Sequence, residues 1–255
     1  MSVESKQDAG AELPPHVPLH EYYPADEERE GYVMDLFDRT AKYYDTVEGL
    51  FLNGGLLYRR LSMKFAGVKP GMKVLDVATG TGAVYRGAAR LVGPEGRVFG
   101  VDPSAGMLAE SRKGHDGPLA RGFAQALPFK SDFFDFVTMG IALRHVPDLH
   151  AAFSEYYRVL KPGGQLWILE SHVPKSKVGH ALTKFVWAKV IPGMTLLSTG
   201  SRDAKLLMDY YWDTIDKCVE PRQIVDALGQ VGFDQARSNL IVPGAFLEYR
   251  SRKRP

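Results

Sequence analysis

Two acids and a glycine turn carry the strongest chemical signal in this chain. The segment VLDVATGTGA, residues 74–83, is an apolar run that ends in Asp76 and then bends through Gly80, Thr81 and Gly82. A bend of this kind between a strand and a helix lets a ligand touch the backbone and face a helix N-terminus. A dinucleotide site would carry GxGxxG, but Tyr85 stands at the third glycine position. A carboxylate at the strand end repels a pyrophosphate and suits a positively charged ligand, an ammonium and a sulfonium. Asp102 closes the next apolar run, RVFGVD, 22 residues after Gly80. A carboxylate there accepts hydrogen bonds from two ribose hydroxyls. Each half alone is a common turn or cap. Together, in this order, they read as a nucleoside site.

The elements that must hold these residues alternate along the chain. Apolar runs at 73–78, 97–102, 118–124, 134–140 and 165–171 read as strands, with helices at 83–92, 104–113 and 149–160. Continuous apolar strands separated by helices imply a parallel sheet covered on both faces. Before them, Val33, Phe37, Ala41 and Tyr44 mark a helix, and Leu56, Leu57, Leu61 and Phe65 continue its pattern after Asn53-Gly54-Gly55. After them, residues 174–193 place Val178, Leu182, Phe185 and Val186 on one side, among Lys175, Lys177, Lys184 and Lys189. Pro192 is expected to end this stretch. Helices follow at 203–216 and 221–231, and residues 232–250 read as two closing antiparallel strands. The expected organisation is a flexible tail (1–28), a helical cap (29–66), a ligand-binding core (67–173), a helical lid (174–218) and a C-terminal helix with closing strands (219–255). The fold class is α/β: a Rossmann-like, doubly wound, mostly parallel seven-stranded sheet with an N-terminal helical cap and a helical lid insertion.

Composition narrows the function further. The chain has 255 residues, and Cys218 is its one cysteine, which excludes an internal disulfide framework and a thiolate-rich metal cluster. Lysine plus arginine is 32 against 30 acids. With no basic stripe carrying interleaved aromatics, no nucleic-acid partner is expected. The N-terminus has no apolar signal region, and no apolar run is long enough to span a bilayer. The expectation from these features is a cytoplasmic protein. The basic stretch 174–193 leaves peripheral contact with the inner membrane face open, and a homodimer is open as well.

The set VLDVATGTG, VFGVDPSAGML, ALPF, FDFVTMGIALRHVPD and RVLKPGG resembles class I S-adenosylmethionine-dependent methyltransferases. With FDRTAKYYDTVEGLFLNGGLLYRR, residues 37–60, it resembles more narrowly the ubiquinone/menaquinone C-methyltransferase family, over about residues 31–235. The resemblance implies S-adenosylmethionine as cofactor and a quinol-type, apolar aromatic acceptor that carries a prenyl chain in this family. It implies that Asp76 faces the methionine amino group through water and that Gly80, Thr81 and Gly82 lie along the methionine part. Asp102 would hold the ribose, Pro103 and Met107 would pack on adenine, and Phe123 and Ala124 would meet its edge. Gly140 would lie beside the methionine carboxylate or the ribose. Arg144 would stand near the reacting ring, and Tyr44 and Asp45 would close over it.

Four positions depart from the family pattern. Thr79 stands for a glycine, Ala83 for an aspartate, Phe123 for an adenine-reading acid or amide, and His145 for an asparagine. In methyl transfer, Arg144 would stabilise a phenolate and His145 would act as base. His172 would lie at the same sheet edge. The histidines follow no metal-ligand spacing, so no metal is expected. Two alternatives stay open. A branch similar to this family converts ubiquinone to rhodoquinone, replacing methoxy by amino with the same cofactor as amino donor and a metal ion. A non-catalytic cofactor-binding regulatory module is the other.

Overall fold

A computed structural model describes residues 12–51, 62–242 and 246–255. The continuation of the cap helix through Leu56, Leu57 and Leu61 lies outside these residues. Helix α1 (Arg29–Phe51) precedes the alternation β1 (Lys73–Val77), α2 (Ala83–Val92), β2 (Arg97–Asp102), α3 (Ala105–Arg112), β3 (Leu119–Arg121) and β4 (Phe134–Gly140). Then come α4 (Leu149–Val159), β5 (Leu160–Ser171), α5 (Lys177–Phe185), α6 (Ile191–Thr199), α7 (Arg202–Asp216), α8 (Pro221–Val231), β6 (Asp234–Val242) and β7 (Phe246–Arg252).

Among the described residues the sheet has seven strands in the order β3-β2-β1-β4-β5-β7-β6. The first five are parallel, and β7 runs antiparallel to both its neighbours. This is the expected α/β architecture. Val74, Leu75, Phe136, Val137, Trp167 and Ile168 are buried because helices cover both faces. The strand order reverses between β1 and β4, where connections leave for opposite faces and a crevice opens beyond the strand ends.

Residues 12–28 depart from the expected flexible tail. Leu19 and Tyr23 are buried in a cluster with Leu36, Ile191 and Tyr210. Val219 N–H donates to the Pro15 carbonyl and Leu149 N–H to that of Leu13. Prolines and charges dominate this segment, but its few apolar side chains are spaced to anchor it, and proline-rich backbone loses little entropy on ordering.

Pro192 also departs from expectation. The helix does not stop there: α5 runs into a π-helical turn (Val186–Val190) and on into α6, with Pro192 in its first turn. A proline needs no N–H partner at a first-turn position, and the wider turn before it relieves the ring's clash with the preceding carbonyls. No helix among the described residues is long and apolar enough to cross a membrane.

Candidate active site

The glycine bend is built on left-handed backbone. Ala78, Gly80 and Gly82 have φ of 52°, 54° and 87°. A Cβ on Gly80 would meet nothing within 4 Å, so this glycine faces open space. Gly140 is a glycine for another reason, since a Cβ there would lie 2.6 Å from Val84. Asp102 sits at the end of β2, where its carboxylate accepts from Gly80 N–H at 2.8 Å and Ser104 N–H at 2.9 Å. Burial, and then the nearby charge of Asp38, raise its pKa to about 6 against the pull of these two N–H donors.

Over this loop lies a cavity of about 850 Å³, counted with its open mouth. Gly80, Asp102, Pro103, Met107, Phe123, Ala124 and Gly140 line this cavity on the side of the loop. Val33, Met34, Phe37, Tyr44, His145 and Tyr211 form the other, from α1, the loop after β4 and α7. The Tyr44 and Tyr211 hydroxyls are 3.0 Å apart. Asp38 of α1 ties this roof to the loop below. Its carboxylate accepts from Ser104 Oγ at 2.5 Å and from Gly106 N–H at 2.8 Å, at the start of α3.

His145 is half-buried in the cavity wall, and neither of its ring nitrogens, both shielded from solvent, has a hydrogen-bond partner among the described residues. Phe37 stands edge-on to it at 5.2 Å, and Tyr210 stacks on it at 5.6 Å. Burial, together with the charges of Arg144, His16 and Arg29, holds its pKa well below the usual histidine value. The imidazole is therefore neutral at neutral pH and resists becoming a cation, which weakens it as the expected base.

Several expected residues do not reach the cavity. Asp76 is sealed beneath the bend: Thr79 Oγ1 donates to one carboxylate oxygen at 2.7 Å and Thr138 Oγ1 to the other at 2.9 Å. Thr79 fits because Gly100, beside Asp76 on β2, leaves room for it. Thr81 is buried behind the loop and Gly82 packs toward Ser111, because the bend turns both into α2. Asp45 is exposed on the far side of α1, one position round from Tyr44. Arg144 is fully buried behind the cavity wall. It pairs with Glu170 at 2.5 Å, donates to Thr214 Oγ1 at 3.1 Å, and lies 4.5 Å from the centre of the Tyr211 ring. His172 lies on a separate groove with Lys175, Trp187 and Leu240. Glu170 and Tyr211 are the residues the sequence reading missed.

The seal on Asp76 has a consequence for stability. Burial first, and then the Asp102 charge, raise its pKa from the ordinary 3.8 to about 7, although both threonines pull it down. The folded protein thus binds this proton more tightly than the unfolded chain does. That contribution is present below about pH 4 and is lost as pH rises through 7. Asp76→Asn is expected to melt above the wild type at pH 8, with the gap clearly narrower at pH 5 and closed only below about pH 4. An equal gap at both pH values in thermal melts would contradict this.

The sequence that builds this site matches a known family. Residues 25–247 match the ubiE/COQ5 methyltransferase family. The chain belongs to that family. It is a methyltransferase, and S-adenosylmethionine is its cofactor. A demethylmenaquinone methyltransferase of Symbiobacterium thermophilum is 33% identical over 241 residues, 91% of this chain and 96% of that one. A ubiquinone/menaquinone biosynthesis C-methyltransferase of Cupriavidus metallidurans is 33% identical over 236 residues, 89% of this chain and 94% of its own. In fold, the chain resembles a solved S-adenosylmethionine-dependent methyltransferase of Thermotoga maritima, with TM-score 0.61, 21% identity, and 87% and 99% of the two chains covered.

The cavity suits the cofactor. Asp102 offers ionic acceptors beside the open face of Gly80, where ribose and the methionine part need them. Pro103, Met107 and Phe123 give the flat, apolar lining an adenine ring requires. Phe123 brings no acceptor for the adenine amino group. Polar contact at that edge falls to the backbone and to Gln125, which donates to Glu30 at 3.0 Å.

Proposed function

We propose that this enzyme moves the methyl group of S-adenosylmethionine to a ring carbon of a quinol-type aromatic acceptor bearing an apolar prenyl chain. The observation that carries this reading is the chamber beside the cofactor loop. At this end the walls are mostly apolar and aromatic, and among the described residues that line it His145 is the one whose shielded side-chain polar atoms have no partner. The printed names of the relatives, which concern menaquinone and ubiquinone biosynthesis, support the same acceptor class.

Carbon methylation requires the ring carbon in line with the sulfonium methyl, and positioning supplies much of the rate. In this reading, Asp102 fixes the ribose and Gly80 lets the methionine part lie against the backbone. Phe37, Tyr44 and Tyr211 hold the acceptor ring. His145 accepts a hydrogen bond from a ring hydroxyl and so sets which carbon faces the methyl group. Arg144, behind Tyr211, acts as a positioning residue. Its guanidinium, balanced by Glu170, packs on the Tyr211 ring and fixes that wall of the chamber from behind. As the ring C–CH3 bond forms, the S–CH3 bond breaks and S-adenosylhomocysteine leaves, and the ring carbon's proton passes to solvent through the cavity's open mouth.

One observation favours a second reading, amino transfer to a quinone in place of a methoxy group. Thr79 occupies Asp76, so the cofactor's amine has no free carboxylate at that position. An unclamped amine, once deprotonated, is free to add to the quinone ring and expel methoxide as methanol; the quinone then takes two electrons from the Cα–N–H unit, and water hydrolyses the resulting imine to an aminoquinol and the 2-oxo acid of the cofactor. Among the described residues, no group of three or more histidines, cysteines or acids forms a metal site. The test is incubation with S-adenosylmethionine and either demethylated quinols or ubiquinone-type quinones, followed by product masses. The expected product gains one methyl group. A product that has lost methoxy and gained amino, with methanol released, would establish the second reading. Cofactor binding with no product from any acceptor would leave a regulatory module. Thr79→Gly uncovers Asp76 and is expected to lower the KM for S-adenosylmethionine several-fold. An unchanged KM would mean that Asp76 plays no part in holding the amine.

A further inference from the structure

The outer face of the lid presents apolar side chains to solvent. Val178 is 82% exposed, Leu182 64%, Phe185 60% and Leu197 88%, and Val186 and Met194 are exposed as well. The inner face of the same rod is packed: Ile191 and Thr195 are buried, and Trp187 lies against the cap cluster. The outer face is therefore a deliberate surface of a folded, anchored element.

The π turn keeps this face in one line. An α-helix advances about 100° per residue, and a π turn takes in one extra residue. On an uninterrupted α-helix, Met194 and Leu197 would stand about 100° round from Val178 and Leu182. The turn at Val186–Val190 removes that offset. All six side chains then share a stripe about 100° wide along a rod from Lys177 to Thr199.

Charge selects what the stripe meets. No aspartate or glutamate occurs between Glu170 and Asp203, while Lys175, Lys177, Lys184 and Lys189 all lie in that span. Lys175 pairs with Glu220, but Lys177, Lys184 and Lys189 are exposed and form no ion pair among the described residues. An apolar stripe flanked by unpaired lysines, with no acid in the rod itself and with the adjacent Asp216 and Glu220 held by His180 and Lys175, complements an anionic bilayer surface: side chains enter the acyl boundary and ammonium groups meet phosphate. A partner protein with a neutral apolar face would leave the lysines unused.

We propose that the rod from Lys177 to Thr199 docks flat on an anionic phospholipid bilayer. This deepens the proposed reading, because a prenylated acceptor resides in the bilayer, but it stands on the lid alone. Cosedimentation of the full chain with phosphatidylcholine vesicles, with and without phosphatidylglycerol, tests it without any turnover. The wild type is expected to sediment with the anionic vesicles, to release as salt rises, and to bind neutral vesicles far more weakly. Leu182→Glu with Leu197→Glu should weaken binding at least tenfold. Lys184→Glu with Lys189→Glu should weaken it roughly fivefold or more per lysine. Calorimetric binding of S-adenosylmethionine, unchanged in each variant, shows that the fold is intact. Wild type that stays in solution with anionic vesicles, or variants that bind as wild type does, would overturn the proposal. So would a wild-type dimer in sedimentation velocity that Leu182→Glu with Leu197→Glu makes monomeric, which would make the stripe a contact between copies. A failure to find methyl transfer would leave the vesicle result untouched.

Discussion

Asp102→Ala is expected to weaken S-adenosylmethionine binding by about 100-fold or more. A hydrogen bond to a charged group contributes about 1.5–3 kcal/mol, and a carboxylate that holds two ribose hydroxyls makes two of them. Their combined loss corresponds to at least two orders of magnitude in Kd. The substitution also frees the N–H groups of Gly80 and Ser104, which both donate to this carboxylate. The loop that shapes the methionine end would lose its anchor along with the ribose. Asp102→Asn keeps the shape but turns an amino group toward one of those donors, so it should bind weakly as well. Affinity should fall as pH drops through about 6, where the raised pKa lets the carboxyl take up a proton. Titration calorimetry reads all three. A Kd for Asp102→Ala within threefold of the wild type would remove the ribose assignment.

Glu170→Ala is expected to cost about 3–5 kcal/mol of stability, since it leaves a guanidinium buried without its counter-charge. Arg144 and Glu170 are 0% and 2% exposed, so no water replaces the lost partner. For a chain of this size each kcal/mol shifts the melting temperature by about 2–4 °C, so a fall of about 10 °C is expected. Glu170 also accepts from Ser171 N–H at 2.7 Å, at the last residue of β5. Glu170→Gln keeps the shape and loses the charge, and it should fall between wild type and Glu170→Ala. The remaining folded enzyme should show a raised acceptor KM, because Arg144 backs Tyr211 and neighbours His145. A melting temperature within 2 °C of wild type, measured by calorimetry, would contradict a role for this pair.

The sheet and the nucleoside loop were legible because their signals are local. A strand buried on both faces has no choice but to be apolar throughout, so an acid at its end stands out, as Asp76 and Asp102 do. The side-chain directions within the site were not legible. Leu143, Arg144 and His145 form a single tight turn, in which successive side chains point about 120° apart. Residue type does not say which of Arg144 and His145 faces the cavity. Glu170 carried a signal that went unread: an acid near the end of an otherwise apolar strand must find a partner or lose its charge. Tyr211 was hidden in the run Tyr210-Tyr211-Trp212, where aromatic content alone does not separate a packed ring from a cavity wall. The bend itself misled. Its acid looked like a cofactor ligand until Thr79 and Thr138 were seen to occupy both oxygens.

The carboxylate of Asp38 couples two things that sequence distance would separate. It grips the start of α3 through Ser104 and Gly106, and it belongs to the same helix that carries Phe37 and Tyr44 over the acceptor chamber. Were that helix to lift to admit a bulky ring, the same movement would unclasp the segment next to Asp102. Donor retention and acceptor entry would then be one mechanical event, and in the proposed reading the two reactants would not come and go independently.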